Sequence, residues 1–125
     1  MQYMLMCCFS EKAWAALPEE ERNRIMRHYG EWVRNLAEHG QLRGGGQLQP
    51  TSSATTVRMR NGKVVFSDGP FAETKEQLGG YHLVDCEDLD EALAIASHIP
   101  TLPAGGVIEV RAFQSTHDAE LAAGH

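Results

Sequence analysis

Asp68-Gly69-Pro70-Phe71-Ala72-Glu73-Thr74-Lys75-Glu76-Gln77-Leu78-Gly79-Gly80-Tyr81 sets turn formers, four charged side chains and a Gly-Gly pair between two strand-like runs. A connection of about a dozen residues inside a small domain is either functional or disordered. This composition is too specific for a linker. Upstream, Thr55 to Arg60 alternates and Lys63 to Ser67 is β-branched and aromatic, with Asn61-Gly62 between them supplying the positive φ angles of a two-residue hairpin turn. Downstream, Tyr81 to Asp85 reads as a strand. Asp88 with Glu91 three residues on then starts a helix whose Leu89, Ala92, Leu93, Ala96 and Ile99 form one stripe before Pro100.

Further out, Val107 to Phe113 reads as the final strand and Tyr3 to Phe9 as a continuous apolar run, the mark of a central strand covered on both faces. From about Pro18 to Glu38, Ile25, Tyr29, Trp32, Val33 and Leu36 recur at helical spacing, with Glu19, Glu20 and Glu21 at the positive end and Gly40 as the stop. Gln41 to Gln49 is a weaker strand in which Gly44, Gly45 and Gly46 admit a bulge or a close backbone approach. The order is β-α-β, a hairpin, then β-α-β. Two such units predict an α+β, ferredoxin-like layer with helices on one face of a mainly antiparallel sheet. The other face needs a cover, and the expectation is a homodimer enclosing an α/β barrel. Residues 1–113 form the one expected domain and 114–125 a polar tail.

At 125 residues with 42% apolar content the chain can bury a core. Eleven Lys and Arg against seventeen Asp and Glu leave a formal charge of −6, which repels phosphate backbones and anionic lipid heads, so neither nucleic acid nor membrane is an expected partner. No apolar run approaches the roughly 20 residues that span a bilayer, and the N-terminal segment lacks the basic region and cleavage site of a signal peptide, so a cytoplasmic location is expected. Adjacent Cys7 and Cys8 point to opposite faces of a strand and Cys86 leaves an odd count, which predicts reduced thiols.

His28 lies at the border of the first helix's apolar stripe, where it can face a cleft and titrate near neutrality. Asp68 follows a strand and precedes a glycine. Glu73, Lys75 and Glu76 are confined between Gly-Pro and Gly-Gly, a setting in which carboxylates accept protons or bind hydroxyls and Lys75 neutralises an anion. Gly79, Gly80 and Tyr81 complete the expected ligand-binding set, the glycines by allowing close backbone approach. Neither a phosphate loop nor a dinucleotide fingerprint is present, and His39, His82, His98, His117 and His125 are scattered without metal-ligand spacing. No cofactor and no metal are expected.

The Asp68–Tyr81 segment, the Gln47-Leu48-Gln49-Pro50 to Thr56 approach and the Asp88–Glu91 helix start resemble the DGPF proteins, a branch of the YCII-related family. The resemblance implies a dimeric ferredoxin-like barrel with a cleft between helix and sheet, encoded in bacterial genes that often neighbour extracytoplasmic-function sigma factors. It also implies an active-site pair of a first-helix histidine and an aspartate, with His28 at the matching helix position and Asp68 the leading candidate for the acid. One family member resembles a dehydrochlorinase of chlorinated hydroxyquinols. Two functions follow as expectations: a cofactor-independent lyase or isomerase with a His/carboxylate cleft, or a non-catalytic ligand-binding or sigma-factor-associated regulatory protein.

Overall fold

In the computed structural model, residues 1–114 are described; the expected tail lies outside the described residues from residue 115 onward. Strands β1 (Gln2–Phe9), β2 (Leu42–Gln47), β5 (Gln77–Asp85) and β6 (Val107–Ala112) form an antiparallel sheet in the order β2-β5-β1-β6. Strands β3 (Thr55–Arg60) and β4 (Lys63–Asp68) pair only with each other. Helices α1 (Glu11–Ala16) and α2 (Glu19–Glu38) join β1 to β2, and α3 (Leu89–Ala96) joins β5 to β6. This is an α+β, ferredoxin-like arrangement with the hairpin inserted between its halves.

β1 is central, as its apolar run predicts, but within one chain only one of its faces is covered. Tyr3, Leu5 and Cys7 are buried beneath the helices, while Met4, Met6 and Cys8 on the other face stay partly exposed. The core joins those three residues to Val84 and Cys86, Leu36 of α2, and Ala92, Ala96 and Ile99 at the second crossover. Pairing at period 2 on the strands and 3.6 on the helices brings these residues to one layer.

α1 is not foreseen in the sequence reading. Its six residues carry no buried side chain, so no apolar stripe announces it. It exists through its ends: the Ser10 hydroxyl accepts from the Ala13 amide at 3.1 Å, and Leu17, extended ahead of Pro18, stops it. At α3 the Asp88 carboxylate accepts from the Glu91 amide at 2.9 Å, whereas the Glu91 side chain turns away to accept from Gln41 Nε2.

Two glycine positions shape the sheet beside the site. Gly45 has φ 132°, and a Cβ there would overlap the Tyr81 carbonyl and lie 2.8 Å from the His82 Cα, so β2 can lie this close to β5 only with glycine. The register of β1 against β5 shifts between Cys7 and Cys8, leaving Gly79 as the extra residue. This pairing shortens the long connection expected after Asp68. Gln77 and Leu78 are drawn into the sheet opposite Phe9 and Cys8, so only residues 69–76 remain outside regular structure.

Candidate active site

α2 crosses the sheet with Tyr29 and Trp32 on its inner face, one helical step apart and packed at 5.8 Å between ring centroids. Opposite them on β5, the alternation that buries Gly80 and Val84 also turns His82 inward, leaving it 5% exposed. The Tyr29 hydroxyl is hydrogen-bonded to His82 Nε2 and lies 3.4 Å from the Cys7 Sγ of β1. The indole of Trp32 meets the imidazole edge-on at 5.0 Å, and its Nε1–H donates to the Ile95 carbonyl at 3.1 Å, which fixes the ring.

Burial keeps this chain of groups neutral. It raises the Tyr29 hydroxyl pKa, to which the bond with Cys7 adds, and it lowers that of His82. It also raises the Cys7 thiol, against a smaller opposing effect of the Tyr29 hydrogen bond. A neutral phenol bonded to a neutral imidazole can pass its proton on without leaving a phenolate in an apolar setting when its oxygen takes another proton in the same step.

Beside Tyr29 opens a small, mainly apolar cavity of about 60 Å³, walled by Cys7, Phe9 and Trp14 and closed by Gly79, Gly80 and Thr101. Phe9 and Trp14 stack obliquely at 5.9 Å. The Phe9 ring lies where a Cβ of residue 79 would be, so Gly79 provides the space that lets this wall stand. Among the described residues, no Asp, Glu, Lys or Arg lines the cavity.

The structure distributes the residues expected from sequence over several places. Gly79 and Gly80 line the cleft. Tyr81 lies in the centre of the sheet, paired with Met6 and Gly46. Glu73 and Glu76 border an open groove with Thr51, Phe71 and Leu78, while Lys75 is exposed on the same loop. Asp68 is the exposed last residue of β4. His28, with its side chain 54% exposed, sits 3.5 Å from Glu31 on a groove between α2 and α3. Asp68 does not line the groove that holds His28, and the two residues form no ion pair or hydrogen bond with each other among the described residues.

Tyr29, His82 and Cys7 are the site residues the sequence reading passed over. Tyr29 is absorbed into the helix stripe and Cys7 into an apolar run. His82 carries one usable signal, its place in the inward register between Gly80 and Val84.

The YCII-related domain profile matches residues 1–115. The chain belongs to the YCII-related family. This YCII-related chain is 40% identical over 122 residues to an uncharacterized protein of Rhizobium meliloti (strain 1021), covering 97% of the chain and 98% of that relative. It is also similar in fold to the 5-chloro-2-hydroxyhydroquinone dehydrochlorinase TftG of Burkholderia phenoliruptrix, solved in complex with 2,5-dihydroxybenzoquinone. That likeness has a TM-score of 0.56 at 13% identity and covers 94% of this chain and 98% of the other. No helix among the described residues is long and apolar enough to cross a membrane.

Proposed function

We propose that this YCII-related protein, of the DGPF branch, is a cofactor-independent small-molecule enzyme of the lyase or isomerase type, with Tyr29 and His82 as its proton-transfer groups. The observation that carries this reading is the part-buried Tyr29–His82 hydrogen bond beside a cavity that no Asp, Glu, Lys or Arg lines among the described residues. Structural cores rarely bury a histidine next to a phenol unless the polar atoms are paired, and here the pair lies beside open space rather than packed atoms. The dehydrochlorinase of similar fold supports the reaction class. A small hydroxylated ring fits the chemistry of the walls: aromatic faces from Phe9 and Trp14, with the Tyr29 hydroxyl to meet an exchanging proton.

In such a reaction Tyr29 takes a proton from the ligand while passing its own to His82, and the electron pair left on the ligand drives loss of a leaving group or a shift of a double bond. A neutral imidazole suits this step because it is free to accept. His28 and the loop carboxylates take no part in it within one chain.

The test is turnover of a panel of halogenated and hydroxylated quinols, read by halide release and ultraviolet spectra. Tyr29→Phe and His82→Asn should each lower kcat/KM by about 100-fold or more. Full activity in both variants, with loss in His28→Ala or Asp68→Asn, would move the chemistry to the His28–Asp68 pair. The second reading, a ligand-binding or sigma-factor-associated regulatory protein, is favoured by the groove along Glu73 and Glu76. Binding of panel compounds without turnover, retained in Tyr29→Phe and lost in Glu73→Gln, would support it.

A further inference from the structure

Met26, Tyr29 and Gln47 each line two depressions. On one side of Tyr29 is the cleft, with Cys7. On the other is a groove of about 510 Å³ between α2 and β2, bordered by Gly30, by Gly44, Gly45 and Gly46, and by His82. His82 borders the groove and not the cleft, whereas Cys7 borders the cleft and not the groove. The hydrogen-bonded chain from Cys7 through Tyr29 to His82 therefore passes through the partition.

The two nitrogens of the imidazole have different surroundings. Nε2 is engaged by Tyr29, and Nδ1 has no protein partner among the described residues. No buried side-chain nitrogen or oxygen among those residues lacks a hydrogen-bond partner, so Nδ1 is reached by solvent. The groove is the depression from which that solvent comes.

The groove is also free of side chains where packing does not demand it. Gly30 interrupts a 20-residue helix, yet a Cβ there would meet nothing within 4 Å. Glycine inside a helix costs about 1 kcal/mol relative to alanine.

We propose that His82 is a relay that carries protons between Tyr29 and bulk water through this groove, so that ligand and proton use openings on opposite sides of Tyr29. The proposal rests on the cleft being a proton-transfer site. In the resting state the Tyr29 hydroxyl donates to Nε2, and the neutral imidazole holds its proton on Nδ1. When the ligand gives a proton to the Tyr29 oxygen, Tyr29 gives its own to Nε2 and Nδ1 releases one to water. One proton has then left the ligand, the ligand keeps the bonding electrons, and the imidazole is the other neutral tautomer. Return of a proton by the reverse route resets the site.

The experiment uses the full chain with 15N-labelled histidine and needs no substrate. Ring nitrogen shifts should show His82 protonated on Nδ1, with a ring N–H that exchanges with water. Gly30→Leu, whose Cβ on the groove side of α2 would meet nothing within 4 Å, should slow that exchange by about tenfold or more. Trp14→Ala, which widens the cleft, should leave it within about twofold. Unchanged exchange in Gly30→Leu, a tenfold acceleration in Trp14→Ala, or a proton resident on Nε2 would overturn the relay. Those results would leave the Tyr29→Phe activity test standing, so the relay and the catalytic reading fail separately.

Discussion

His82 links stability to pH in a direction set by its burial. Its folded pKa lies below the ordinary 6.5 because the charged ring would be desolvated. Between the folded and unfolded values the unfolded chain binds more protons, so stability should fall as pH drops below about 6.5. Urea midpoints measured from about pH 7.5 to pH 5 should show this acid-side loss, and His82→Gln should shrink it; an equal slope in both proteins would show that other groups control it. Gly45→Ala acts at the same scale by a different route. It asks an L-residue to hold φ 132° against the Tyr81 carbonyl and the His82 Cα, so β2 must lift away from β5. The expected cost is about 2 kcal/mol or more, read as a lower thermal midpoint together with shifted Tyr29 and His82 resonances.

At the scale of elements, α3 and α2 respond to opposite kinds of change. Asp88→Ala removes the side chain that accepts the Glu91 amide, and the loss of this cap should destabilise the chain by about 1 kcal/mol in urea unfolding. Gly30→Ala should stabilise it by about 0.5–1 kcal/mol, since the helix gains propensity and the new methyl has open space. A destabilised Gly30→Ala would mean that the groove is narrower than it stands here. The elements also divide by how plainly the residues announce them. α2, α3, β1 and the Asn61-Gly62 hairpin follow from periodicity, caps and turn chemistry in their own segments. α1 does not, since it buries nothing. Nor does the start of β5, because Gln77 and Leu78 become strand through pairing with Phe9 and Cys8, residues almost seventy positions away.

Across the whole molecule, the uncovered apolar surface carries the strongest expectation. Val57 and Phe66 pair across the hairpin, as do Met59 and Val64, so all four share one face. They are 60, 72, 66 and 55% exposed, respectively, and Met4 and Met6 lie partly open on the uncovered sheet face. Leaving so much apolar surface in water is unfavourable by about 25 cal/mol per Å², and a homodimer that covers it is our proposal. Light scattering at micromolar concentration should give twice the chain mass, and Val57→Ser with Phe66→Ser should shift it toward the monomer. A monomeric wild type would remove both the dimer and the barrel.

Segment by segment, the sequence alone determined α2, α3, β1 and the hairpin, the α+β order and the resemblance to the YCII-related family, because periodicity, caps and turns are local properties of consecutive residues. It also singled out Gly79 and Gly80, whose lack of a side chain is a local fact. It could not determine which polar groups meet. Cys7, Tyr29 and His82 are 22 and 53 residues apart along the chain, and each reads in its own segment as an ordinary core or scattered residue. Only the sheet order β2-β5-β1-β6 lays β5 beside β1 and sets α2 over both. Only that packing buries the three side chains, and burial is what shifts their pKa values and sets them together as a candidate site.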